Sequence, residues 1–187
     1  MKRIILIVFT GLLIWACQDK EQYWEINGIA ISYMDSKGQT YYSDTIQAQQ
    51  LYVSVNFDHL YTANLKQSNP FIQEAYANEP GTSTYGLKHS ISKLIVTTTK
   101  DFNGIKAGDD ISSKLLYCGE ASYAMGCQNI NLQNYIYNVF VQESPPVYQS
   151  IFRFTEKPID PEIKLTFRFI DSQGKEFVGT SNTIYWK

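Results

Sequence analysis

Apolar and polar residues alternate with a period of two along much of the chain, most clearly near its C-terminal side. Ile163, Leu165, Phe167 and Phe169 alternate with Lys164, Thr166 and Arg168. That pattern predicts a strand with one face buried. Asp171-Ser172-Gln173-Gly174 comes next as a turn in which Gly174 supplies a positive φ. Lys175 to Trp186 then reads as the partner strand, with Gly179 marking a bulge. The same layout precedes it in the chain: Ile29 to Met34, the turn Asp35-Ser36-Lys37-Gly38, then a return over Gln39 to Ile46. The two Asp-Ser-x-Gly hairpins admit a duplicated half or one turn chemistry reached twice. Little identity flanks them, which favours the second reading.

Further strands are predicted between these hairpins. Leu51, Val53, Val55 and Phe57 alternate with polar residues, and Val147 to Phe154 comes after the breaker Pro145-Pro146. Ile91 to Thr99 is β-branched and continuous and suits a central strand. Asn69-Pro70 before Phe71, Ile72, Ala75 and Tyr76 predicts a short helix ending near Asn78. Leu132, Tyr135, Ile136, Val139 and Phe140 fit helical spacing in a stretch rich in β-formers, so 132–141 stays open between helix and strand. Residues 100–131 lack periodicity and read as a disulfide-pinned loop. A loop that long is often functional. Six or seven strands predict a mainly β chain. We expect one antiparallel, immunoglobulin-like β-sandwich over 23–187, with one or two short helices in the long connections.

The N-terminus carries an address. Lys2 and Arg3 precede the apolar run Ile4 to Ile14, which is too short to span a bilayer and suits a signal peptide. Ile14-Trp15-Ala16-Cys17 resembles the bacterial lipobox, apart from the bulky Trp15. The resemblance implies cleavage of residues 1–16 and lipidation of Cys17, with two or three acyl chains holding the protein stably. Residues 17–22 are then a polar tether. Gln18, Asp19, Lys20 and Glu21 resemble the acidic export signals of Bacteroidota lipoproteins, and a generic linker is the alternative. The expected location is the bacterial outer membrane, facing either inward or outward.

Charge and cysteine content narrow the partners. The chain has 187 residues and a formal net charge of −2, which becomes more negative once Lys2 and Arg3 are removed. Without a block of basic residues, nucleic-acid binding is not expected. With Cys17 lipidated, Cys118 and Cys127 remain. Outside the cytoplasm they are expected to pair, with free or metal-bound thiols as the alternative. No histidine lies near them in sequence, and two thiolates leave a zinc site half empty.

Motifs for chemistry are sparse. His59 and His89 are the only histidines, and no G-x-S-x-G elbow accompanies them, so both read as surface or hydrogen-bonded side chains. Counting from Asp101, the EF-hand positions fall on Ile105, Lys106 and Ser112, so that motif fails. An irregular calcium site at Asp109 and Asp110 stays open beside a plain turn. No glycine loop for phosphates appears, and no cofactor or metal is assigned. Fourteen tyrosines are an excess. Tyr41, Tyr42, Tyr135 and Tyr137, among Asn and Gln, are the candidate ligand-binding residues.

Three further stretches carry a family resemblance: Ile95-Val96-Thr97 to Lys100-Asp101-Phe102-Asn103, then Ala107-Gly108-Asp109, and the closing hairpin from Lys164 to Phe177. With the lipobox, they resemble small Bacteroidota lipoproteins of unknown function. The resemblance implies an envelope address and a β-rich domain and carries no activity to any residue. The expected function is a lipid-anchored, non-enzymatic binding or assembly module for a protein or glycan ligand. A surface hydrolase acting on glycans and a fibre or adhesin subunit are the alternatives.

Overall fold

A computed structural model describes residues 21–64, 84–119, 127, 132–140 and 147–187. The strands are β1 Glu21–Met34, β2 Thr45–Ile46, β3 Tyr52–Asn64, β4 Thr84–Leu87, β5 Ile91–Thr98 and β6 Leu115–Gly119. They continue with β7 Gln149–Phe154, β8 Glu162–Ile163, β9 Leu165–Asp171, β10 Glu176–Thr180 and β11 Ile184–Trp186. One helix, α1, spans Leu132–Phe140. A large sheet runs β4-β1-β3-β7-β6, a second runs β10-β9-β5 and a small third runs β2-β11-β8. The chain is mainly β and forms a β-sandwich.

The two larger sheets meet through aromatic rings. Phe57 lies 5.2 Å from Phe169 and Phe152 lies 5.5 Å from Phe167, centroid to centroid. Alternation sets which side chains turn inward: Val53, Val55 and Phe57 from β3, Phe152 and Phe154 from β7, and Leu165, Phe167 and Phe169 from β9 are all buried. Two bulges keep the inward set continuous. In β1 the register against β3 slips between Ile26 and Gly28, so Trp24 and Ile26 share a face with Ile29, Ile31 and Tyr33 despite opposite parity. In β5 the slip between Ile91 and Lys93 does the same for Ile91 and the pair Leu94 and Val96.

The sandwich closes differently along its two sides. On one side β10 crosses β1, and a Cβ on Gly179 would stand 2.7 Å from Ile29 Cγ2. Gly179 therefore marks a close approach and no bulge, because β10 pairs with β9 without a break from Glu176 to Thr180. On the other side α1 fills the wedge between β5 and β6. Its Tyr135 is 5.1 Å from Phe152, and its Phe140 is 5.4 Å from Phe57. The stretch 132–141 is thus helical over Leu132–Phe140.

Other expectations change in detail. The partner strand over 175–186 divides at Ser181, whose buried hydroxyl receives the Leu165 N–H at 2.9 Å and lies 2.8 Å from the Tyr33 hydroxyl. The chain then leaves the second sheet for β11. The return over 39–46 is a single bridge, Met34 to Thr40, and then β2. β5 is not central: among the described strands it pairs only with β9, and the loop after Ala107 covers its other edge. β1 starts at Glu21, inside the predicted tether. The region 100–131 supplies β6, which pairs with β7. The helix expected over 69–78 lies outside the described residues.

Candidate functional site

Large apolar side chains left exposed among the described residues are sorted to the two ends of the sandwich. Leu60, Tyr61 and Tyr148 stand at the end where β1 begins. Tyr42, Ile159 and Tyr185 stand at the opposite end, near the small third sheet. Val178 on β10 lies between.

The first end is built on strand register. Trp24 pairs with Tyr61 and Ile26 with His59, which puts Trp24, His59 and Tyr61 on the inward face. Trp24 and Tyr61 have ring centroids 4.8 Å apart, and His59 and Tyr148 are 5.4 Å apart. The Trp24 indole nitrogen and both His59 ring nitrogens are buried without a hydrogen-bond partner among the described residues. Burial pushes the His59 pKa down, against smaller upward pulls from the Phe57 backbone and the Asp58 carboxylate; the geometry completes no bond to Phe57. His59 is accordingly a half-buried ring packed among rings, with no hydrogen bond to its nitrogens among the described residues, which corrects the expectation of a hydrogen-bonded or fully exposed histidine.

Beside these rings lies a cavity lined by Trp24, Leu87, His89, Lys175 and Phe177, among others. It encloses about 20 Å³, little more than one water requires. Glu25 at its rim is held low by its 2.6 Å bond to Lys88, with burial opposing. So small a cavity does not hold a sugar ring.

The second end is flatter. Tyr185 pairs with Thr45 on one side and Glu162 on the other, so these three form a row on the outer face of the third sheet. Their neighbours Ile46, Ile163, Ile184 and Trp186 turn inward. Trp186 is locked there by a 2.7 Å bond from its indole nitrogen to the Ala48 carbonyl. The chain before β2 brings Tyr42, 95 % exposed, to this end. Ile159 is held by the bond from its N–H to Asn103 Oδ1 at 2.9 Å.

The predicted tyrosines separate. Tyr41 packs partly against the core, and burial, then the Asp35 charge, raises its pKa. Tyr42 points to solvent, as alternation requires. Tyr135 is fully buried and its hydroxyl donates to Ser150 Oγ at 2.8 Å, so it serves the core and leaves the candidate surface. The Tyr137 side chain and Cys17 lie outside the described residues.

The acidic loop is built for structure. Asp110 Oδ1 accepts the Val96 N–H at 3.1 Å and the Ser112 N–H at 2.9 Å, while Oδ2 accepts the Ser112 hydroxyl. With the Gly108 N–H on Thr98 O and the Ile111 N–H on Val96 O, this carboxylate finishes the free edge of β5. Asp109 is exposed beside it and is not gathered with other ligands. No group of three or more His, Cys, Asp or Glu among the described residues could hold a metal ion. Cys118 and Cys127 are bonded to one another as a disulfide, packed with Met34 and Ile151 on the outer face of the large sheet.

Sequence reasoning missed the Trp24–His59–Tyr61–Tyr148 row. Trp24, the His59–Tyr61 pair and Tyr148 come from three distant stretches and meet through the β1–β3 register and the bond from the Phe57 N–H to the Tyr148 carbonyl. No family model, no curated protein and no solved structure matches this chain.

Proposed function

We propose that the protein is a lipid-anchored, non-enzymatic module of the bacterial outer membrane. In this reading it holds a protein or glycan ligand against the end that carries Tyr42 and Tyr185. The observation that supports it is the sorting of exposed apolar side chains to two opposite ends, with the first strand, and so the tether, beginning at one of them. An anchor through Cys17 turns the Tyr42 end away from the membrane. Exposed tyrosines beside an ordered polar row of Thr45, Tyr185 and Glu162 offer flat apolar surface with hydrogen-bonding groups, which suits recognition of proteins or sugars.

Two experiments test the reading. Palmitate labelling of wild type and Cys17→Ala, with protease shaving of intact cells, reports anchor and orientation. A wild-type protein without label sinks the anchored reading. The mature domain is then screened against envelope proteins and glycan arrays, with the Tyr42→Ala/Tyr185→Ala double variant as control. A ligand whose binding survives both substitutions moves the site elsewhere.

A further inference from the structure

We infer that the end of the sandwich carrying Leu60, Tyr61 and Tyr148 seats on the bilayer itself, as a second, non-covalent contact beside the lipid anchor. This rests on lipidation of Cys17. Only three residues separate Cys17 from Glu21, where β1 starts. Four chain steps reach about 14 Å at full extension. Glu25 and Trp24 pair with Leu60 and Tyr61, so those two side chains lie only four or so residues along the strand from the tether. At about 3.4 Å per residue, Tyr61 and Leu60 lie about 10–14 Å along β1 from the end of the tether, and Tyr148 lies beyond them, against His59. A leash that short keeps the patch at high local concentration against the membrane, so a modest apolar area suffices.

The chemistry of the patch suits an interface. Tyr148 is 61 % exposed, Leu60 52 % and Tyr61 45 %. Tyr61 against Trp24 and Tyr148 against His59 stand on the inward side of β3 and Leu60 on its outer side, so both faces of this end present apolar surface. Tyrosine and tryptophan rings favour the boundary between headgroups and acyl chains, where one end is apolar and the other wet. The neighbouring charges oppose contact at one position only. Glu25 is paired with Lys88 and Lys175 is exposed nearby, which leaves the exposed Asp58, bonded at 2.9 Å to the neutral Asn27 amide, as the one acidic group beside the patch without a paired cation among the described residues. The opposite end lacks this relation to the tether, although its apolar residues are as exposed.

The mature chain contains two tryptophans, one at each end: Trp24 against Tyr61, and Trp186 in the third sheet. The full lipidated protein is reconstituted in phosphatidylethanolamine/phosphatidylglycerol vesicles carrying phospholipids brominated near the glycerol end of the acyl chain. Trp186→Phe reports Trp24 alone, and Trp24→Phe reports Trp186 alone. Much of the Trp24 emission is expected to be lost, with Trp186 unchanged. Leu60→Ser/Tyr61→Ser/Tyr148→Ser, confirmed as folded, is expected to restore Trp24 emission while still floating with the vesicles. A protein that floats with unquenched Trp24 overturns the inference and leaves the patch to a protein or glycan partner. A protein that does not float shows instead that the anchored reading has failed, and the inference falls with it.

Discussion

The two Asp-Ser-x-Gly turns share a local structure atom for atom and differ in everything around it. Asp35 Oδ1 accepts the N–H groups of Lys37 and Gln39, both at 2.8 Å. Asp171 Oδ1 accepts those of Gln173 and Lys175 at 2.8 and 2.9 Å. Gly38 and Gly174 have φ of 79° and 85°. Yet the turns sit at opposite ends of the sandwich. The first leads into one bridge, the second into a five-pair ladder. Asp171 is buried, its carbonyl lies 3.0 Å from Ser92 Oγ, and Ser172 N–H binds Ser90 O. Asp35 makes no such contact with another strand among the described residues. A turn sequence therefore specifies the reversal, and burial of the segment after the glycine decides whether a strand returns. After Gly174, Phe177 faces β1; after Gly38 comes a largely exposed stretch with only Tyr41 half inside.

The contrast is broken most strongly at Gly179, where the second hairpin crosses β1. Gly179→Val is expected to lower stability by about 3 kcal/mol, since the neighbour includes the Ile29 carbonyl at 3.0 Å and cannot all move aside. Denaturant unfolding measures this, and a loss within noise would refute the close approach. Next is the cysteine pair, which belongs to neither hairpin: Cys118→Ser/Cys127→Ser is expected to cost roughly 2–3 kcal/mol by releasing the link between two residues nine apart in sequence, while leaving both turns intact. Asp171→Ala is expected to cost about 2 kcal/mol and Asp35→Ala about 1 kcal/mol or less, because Asp171 is buried and its two bonds to the turn are partly buried, whereas those of Asp35 are exposed. Equal losses would mean that tertiary packing adds nothing to the shared turn.

The smallest effect is in pH. His59 titrates below its ordinary value of 6.5 because it is buried. The unfolded chain thus binds the proton first, and stability falls as pH drops through 6.5 towards the folded value. His59→Phe is expected to flatten that part of the profile between pH 7 and 5, above the range where carboxylates such as Asp101 and Glu156 titrate. An unchanged slope in the variant assigns the titration to another group.

Much of the fold was legible because alternation survives wherever one face of a strand is buried. β3 and β9 come directly from it, while β5 is legible in its β-branched run, β7 in the proline breaker before it and both turns in Asp-Ser-x-Gly. β6 escaped detection because Leu115 to Gly119 is apolar on both faces, one side meeting the core and Cys118 meeting Met34 and Ile151. The break at Ser181 was hidden because a buried serine is justified only by its partners Tyr33 and Leu165, both far away in sequence. α1 was ambiguous because tyrosine, isoleucine and valine suit either state, and the wedge between β5 and β6 chose the helix. Of the surface, Tyr42 was readable from polar surroundings. The rings around His59 were not, because the β1 bulge and the β1–β3 register had to be known first.

The place of β11 has a consequence for biosynthesis. It lies between β2 and β8 and comes after both in the chain, pairing Trp186 with Ile46. Its indole also contacts Phe154, at 5.6 Å. Until β11 has been made, the edges of β2 and β8 have no partner and this part of the core stays open. Such long-range closure slows folding. This part of the core therefore closes only after β11 has emerged, whatever the rest of the sandwich has formed by then.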